Sequence, residues 1–138
     1  MSITRQLDRG VLLDKQGPAI LTSYSYSDPQ RYGSYRLTFW AKLTADAAAN
    51  LTGYTVTLEA RYDPTDAAGW VPVQSRNQAT DGAVTTKKEH SVTVATGTTA
   101  YAMITCDEAH GAVEVRLGVK ADAAGVGNDR AVLTMTVG

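Results

Sequence analysis

The stretch "TVTLEARYDPTDAAGW", Thr55 to Trp70, governs how the rest of the chain is read. With Tyr54 in front of it, Tyr54, Val56, Leu58, Ala60 and Tyr62 oppose Thr55, Thr57, Glu59 and Arg61. That period of two is the pattern of a strand with one face in a core. Pro64 then ends any ladder because it has no amide to donate, and Asp63 and Asp66 can accept turn amides through their side chains. Gly69 gives a permissive backbone before the next strand. Two carboxylates fall short of the several alternating oxygen ligands a calcium loop needs. The stretch reads as a core strand running into a hairpin corner that Trp70 closes, its rim at most a contact surface.

The same alternation recurs outward in both directions. In "YRLTFWAKL", Tyr35, Leu37, Phe39, Ala41 and Leu43 share one face, and Arg36, Thr38, Trp40 and Lys42 the other. "AVEVRLGVK" sets Val113, Val115, Leu117 and Val119 against Glu114, Arg116 and Lys120, and Ala131 to Val137 alternates likewise. Shorter strands are expected at Ala19–Tyr24, Trp70–Gln74, Glu89–Ala95 and Ala100–Thr105. "DPTDAAG", "TDG" (Thr80–Gly82), "ATGTT", "EAHGA" and "DAAGVGND" separate the runs with turn chemistry. Only Thr44–Leu51 has a helix-forming composition, enough for two turns. The expected fold is all-β: an antiparallel β-sandwich or jelly roll of about eight strands, without the crossover helices of a parallel sheet. Residues 1–33 show no sustained period and are expected as an extended N-terminal arm, anchored by Val11–Leu13 and Ala19–Leu21, with the sandwich over 34–138. The tyrosine-rich connector "SYSYSDPQRYGSY" could clasp a neighbouring subunit or fold back on its own domain.

The totals bound the function. A chain of 138 residues with 13 basic and 14 acidic side chains suits one domain and carries no field to attract nucleic acid or an anionic membrane. The basic residues are scattered on outward strand positions, with no stripe of interleaved aromatics. The start, "MSITRQLDRG", has no apolar run of a secretory signal, and no segment approaches the roughly 20 apolar residues of a spanning helix. A single cysteine, Cys106, allows neither an intrachain disulfide nor a cysteine zinc cage, which fits a reducing compartment.

Candidate chemistry is thin. "CDEAH" places Cys106, Asp107, Glu108 and His110 within five residues, yet Cys106 continues the apolar alternation of Ala102 and Ile104 and is expected as a buried hydrophobe, not a nucleophile. His90 and His110 have no ligand spacing and are expected at the surface. "DAAGVGND" feeds a strand, whereas a phosphate cradle feeds a helix, and it lacks the calcium pattern, so a flexible hairpin loop is expected. Trp40, on the nominally outer face of its strand, is either covered by a second layer or an interface anchor.

In chain order, "YTVTLEARYD", an acidic turn, "GWVPVQS", "VTTKKEHSVTV", "AYAMITCD", "VEVRLGV" and "AVLTMTVG" resemble the small β-sandwich virion proteins of tailed phages. The likeness runs from Tyr35 to Gly138 and lies in strand order and turn placement. It implies a structural, non-enzymatic role as a capsid decoration (cement) protein that binds and stabilises the major capsid lattice, or as a neck or tail component. The implied partners are the major capsid protein or other virion subunits and further copies of the chain, a trimer being favoured, with no nucleic acid, no membrane and no cofactor. The implied location is the virion, after synthesis in the bacterial host cytoplasm. Tyr24, Tyr26, Tyr32, Trp40 and Trp70 are the expected protein-interface residues, and no catalytic or metal site is expected. The topology also resembles galactose-binding-like jelly rolls, which bind carbohydrate through end loops. Under that reading Trp70 and Tyr62 beside the acidic turn would face a sugar.

Overall fold

The computed structural model describes residues 9–31, 37–48, 50–78, 86–106 and 111–137. Its strands are β1 (Arg9–Gln16), β2 (Ser25–Tyr26), β3 (Gln30–Arg31), β4 (Leu37–Thr44), β5 (Gly53–Arg61) and β6 (Trp70–Pro72). They continue with β7 (Ser75–Asn77), β8 (Thr86–Lys87), β9 (Glu89–Thr93), β10 (Thr99–Cys106), β11 (Glu114–Ala121) and β12 (Arg130–Val137). Sheet A runs β1-β12-β4-β10-β7-β8, and sheet B runs β2-β11-β5-β6, with β3 also on β11 and β9 also on β5. Every pairing is antiparallel. The protein is an all-β antiparallel sandwich, as the alternation implies.

The core is the inward half of each alternating run. Leu37, Phe39, Ala41 and Leu43 of β4 and Ala131, Leu133 and Met135 of β12 face Val56, Leu58 and Ala60 of β5 and Val115, Leu117 and Val119 of β11, all buried. Side chains two apart share a face of a strand, so one register serves a whole strand once its ends are set. Phe39 and Tyr54 are the largest fully buried side chains, and the Tyr54 hydroxyl donates to the Thr44 carbonyl at 2.7 Å. Burial raises the Tyr54 hydroxyl pKa well above its ordinary value.

The expected arm is not separate from the sandwich where it is described. β1 forms the edge of sheet A against β12, and β2 and β3 form an edge of sheet B against β11. A register shift between Val11 and Leu13 lets both residues work: Val11 lies opposite Thr134 and stays exposed, whereas Leu13 lies opposite Leu133 and is buried. An extra residue in one strand hides the period of two from a reading of sequence. The strand expected over Ala19–Tyr24 is replaced by a 3-10 turn at Gly17–Ala19 and an irregular stretch ending in β2. Ile20 of that stretch is nonetheless buried, as an anchor should be. Among the described residues no α-helix occurs, and Thr44–Leu51 holds a turn in which Asp46 Oδ1 accepts the Ala48 amide at 2.8 Å.

Apart from the β2–β3 connection and the hairpins β5–β6 and β7–β8, each connection carries the chain to the other sheet, which is the jelly-roll habit. "DAAGVGND" is therefore a crossover from β11 to β12 rather than a hairpin loop, and it is firmly tied. Asp129, fully buried, accepts the Asp46 amide at 2.6 Å, the Val126 amide at 2.8 Å and the Asn50 side-chain amide at 2.7 Å. Asp46 in turn accepts the Asn128 amide at 2.5 Å, and Asp122 accepts both the amide and the hydroxyl of Thr52.

These bonds give the fold an acid limit. The Asn128 and Ala48 amides hold Asp46 below the ordinary carboxyl value of 3.8, and the Thr65 hydroxyl and amide do the same for Asp63. Burial pushes Asp122 up, but the Thr52 hydroxyl and amide outweigh it, and Arg130 lowers Asp14 by direct hydrogen bonding. Carboxyls lowered in the folded state contribute stability that is present above the unfolded value and lost as pH falls through the folded ones. The contribution of these four carboxyls is thus expected to be held above about pH 4 and to be lost as pH falls below it. Urea midpoints measured across pH 2–7 check this; Asp122→Asn should flatten part of the acid limb.

Candidate binding faces

The acidic turn that closes on Trp70 is the expected hairpin corner: β5 pairs with β6, Arg61 opposite Trp70. Asp63 Oδ1 accepts the Thr65 amide at 2.9 Å and its hydroxyl at 2.7 Å, and Asp66 Oδ1 accepts the Ala68 amide at 3.0 Å. The turn's carboxylates are engaged in shaping the turn. Trp70 points away from it, over the outer face of sheet B.

That outer face is unusual for its burial. β5 and β11 are central strands whose outward residues should be wet, yet Thr57, Glu59 and Gly118 are buried. The cover comes from the two edges. Tyr26 on β2 lies opposite Gly118, where a Cβ would come within 2.9 Å of the Tyr26 ring and 3.0 Å of Thr57 Cγ2. Only glycine leaves the ring room to lie flat at that position. Beneath the roof, Arg116 Nε and Nη2 both donate to Glu59 Oε1, at 2.9 and 2.7 Å. The Arg116 guanidinium carbon sits 3.7 Å from the Tyr26 ring centre and 4.4 Å from that of Trp70. Each such cation–ring contact contributes about 0.5–2 kcal/mol depending on how dry it is. The Tyr26 hydroxyl donates to Glu59 Oε2 at 3.3 Å.

The row continues along the strands. Tyr24 stacks on Tyr26 at 5.8 Å between ring centres, its hydroxyl donates to Glu89, and Lys120 Nζ lies 4.6 Å from its ring centre. Burial first, then the Glu89 carboxylate, raises the Tyr24 hydroxyl pKa well above its ordinary value; burial and Glu59 raise that of Tyr26. At the other end Arg61 pairs with Glu114 at 2.5 Å and lies 6.0 Å from the Trp70 ring centre. Beside Lys120 a groove of about 440 Å³ is lined by Thr22, Thr52, Thr55, Ser91, Thr93 and Asp122 among others.

The outer face of sheet A has a different character. Val11, Thr134, Trp40 and Met103 stand directly opposite one another across β1, β12, β4 and β10. Trp40 is 45% exposed and Val11 58%, and Tyr101, 54% exposed, lies opposite Lys42 on the same face. Of the five expected interface residues, the fold therefore unites Tyr24, Tyr26 and Trp70 on sheet B and puts Trp40 on the far side of the sandwich. Tyr32 lies outside the described residues, as do Tyr35, Arg36, the Thr80–Gly82 turn, Asp107, Glu108 and His110. Sequence reasoning passed over Arg116, Glu59 and Tyr101, although their outward register marks all three.

His90 corrects the expectation of a surface histidine. It alternates with Val92 and Val94, is buried, and its Nε2 lies 2.9 Å from Ser75 Oγ, joining β9 of sheet B to β7 of sheet A. Cys106 is buried as expected and donates to the Gln74 carbonyl at 3.5 Å. Among the described residues no group of three or more His, Cys, Asp or Glu is placed to hold a metal ion, and no helix is long and apolar enough to cross a membrane.

With this geometry in view, likeness to known proteins is confined to fold. No protein-family model matches the chain, and no curated protein does. Among solved structures the chain is similar to the SPBc2 prophage-derived protein YomS, with 16% identity, a TM-score of 0.50, and 100% of this chain and 99% of that one covered. It is also similar, at 11% identity and a TM-score of 0.51, to part of the xylanase 10B of Clostridium thermocellum, a structure of its CBM22-1 and GH10 modules complexed with xylohexaose. That match covers 82% of this chain and 19% of the enzyme's. The β-sandwich is thus shared with a phage-derived protein along its whole length and with a fraction of a modular carbohydrate-active enzyme.

Proposed function

We propose that the chain is a structural subunit of a phage virion, in particular a capsid decoration (cement) protein that docks on the major capsid lattice through the outer face of sheet A. The observation that carries this reading is the row of exposed Val11 and Trp40 and half-buried Met103, with exposed Tyr101 beside it, crossing four strands of one face. Aromatic and methionine side chains on such a face are the usual anchors of protein contacts. The full-length fold likeness to a prophage-derived protein supports the phage setting. Self-association, with a trimer favoured, belongs to the same proposal, and neither a cofactor nor a reaction is part of it.

Co-sedimentation with purified phage shells tests the reading. The wild-type protein is expected to pellet with shells, and Trp40→Ala or Tyr101→Ala to weaken this by about tenfold or more, as for an interface anchor worth at least 1.4 kcal/mol. Neither substitution should lower the melting temperature greatly, because both side chains are exposed. A folded wild type that stays in the supernatant with shells, and that light scattering finds monomeric, overturns the proposal.

A further inference from the structure

The outer face of sheet B differs from that of sheet A in what it leaves available. Its apolar surface is aromatic and planar, contributed by Tyr24, Tyr26 and Trp70. The Tyr26 and Trp70 rings are held from below by the Arg116–Glu59 pair, whose side chains are 22% and 10% exposed. Holding the rings in advance lowers the ordering cost of a ligand that lies on them. The polar groups are incompletely engaged. Among the described residues the Trp70 indole N–H has no acceptor, and Lys120 has no carboxylate partner. From Arg116 to Lys120 the row spans roughly 14 Å at about 3.4 Å per residue, and it runs on into the threonine- and serine-lined groove beside Lys120.

A ligand matching this face needs flat C–H surfaces for the rings, hydroxyls for the cations and free N–H groups, and an extended shape. We propose that the outer face of sheet B binds an extended saccharide chain, which stacks on Trp70 and Tyr26 and reaches past Lys120 into the groove. The ring face carries partial negative charge and attracts the polarised C–H groups of a sugar, while N–H and ammonium donors receive its oxygens. An apolar protein surface fits less well, since it would cover the unpaired donors without accepting from them. This inference stands apart from the capsid role, which uses the opposite face.

The chain has two tryptophans, so Trp40→Phe leaves Trp70 as the sole indole emitter without touching the sheet B face. Trp70 emission of that protein is followed while hexasaccharides of glucose, xylose, mannose, galactose and N-acetylglucosamine are added in turn, together with a glycan array. A saturable shift with at least one saccharide is expected, and Tyr26→Ala should weaken it by about tenfold or more. Trp70→Ala should remove array binding, while Trp40→Ala leaves it intact. Should Trp70→Ala fail to fold, the emission titration decides alone. No shift and a blank array overturn the proposal, as does binding indifferent to Tyr26→Ala. Loss of shell binding in Tyr26→Ala with no saccharide bound would assign the face to a protein instead.

Discussion

Asp129→Ala is expected to lower the free energy of unfolding by about 3–5 kcal/mol. The carboxylate is fully buried and accepts three hydrogen bonds, two from backbone amides and one from Asn50. A hydrogen bond to a charged group contributes about 1.5–3 kcal/mol, and a donor left dry costs about 1–3 kcal/mol more, the terms being less than additive. Alanine strands all three donors at the crossover that links the two sheets. Asparagine keeps one acceptor oxygen and should recover about half of the loss. Urea denaturation with an unchanged slope is the measurement. A loss below about 1 kcal/mol for alanine would mean that the crossover is not held by this side chain.

Gly125→Ala is expected to cost about 3 kcal/mol, at the upper end for overpacking. A Cβ there would come 2.7 Å from that of Ile20 and closer still to the Gly17 carbonyl oxygen, which is backbone and cannot swing away. The Gly125 amide donates to the Ile20 carbonyl at 3.0 Å, and the Gly17 amide to the Asp129 carbonyl at 2.8 Å. The methyl group would therefore pry the segment around Gly17 off the crossover. Hydrogen exchange should show the amides of Gly17 and Ile20 losing protection before those of β4. Equal protection in the variant would mean that the crossover yields instead of the N-terminal segment.

Where one face of a strand is wet and the other dry, the fold was legible in the sequence: β4, β12, β10 and β5 were each visible from a period of two. β1 was not, because the bulge near Leu12 shifts the phase within eight residues. β7 and β8 are too short to show a period, and "DAAGVGND" looked like a hairpin because turn composition does not say which sheet the next strand joins. The candidate faces were legible residue by residue but not as surfaces. Tyr24, Tyr26 and Trp70 could be picked out by type. The meeting of Tyr26 and Trp70 over Arg116 depends on both edges of sheet B folding across its centre, with Gly118 leaving the space. Nothing local in sequence encodes that pairing of distant edges.

The place of β12 between β1 and β4 in sheet A bears on how the molecule is made. β1 and β4 do not touch as neighbours; each is bonded to β12, which lies between them. During synthesis the ladder that unites them cannot close until Arg130–Val137 has left the ribosome, so the earlier strands must wait with unpaired edges. Such long-range pairing is slow, on the order of milliseconds to seconds, and exposes strand edges to other chains meanwhile. A ribosome stalled before residue 130 would release no partly functional sandwich, only an open one. Pairing of β12 is the step that joins β1 to the rest of sheet A.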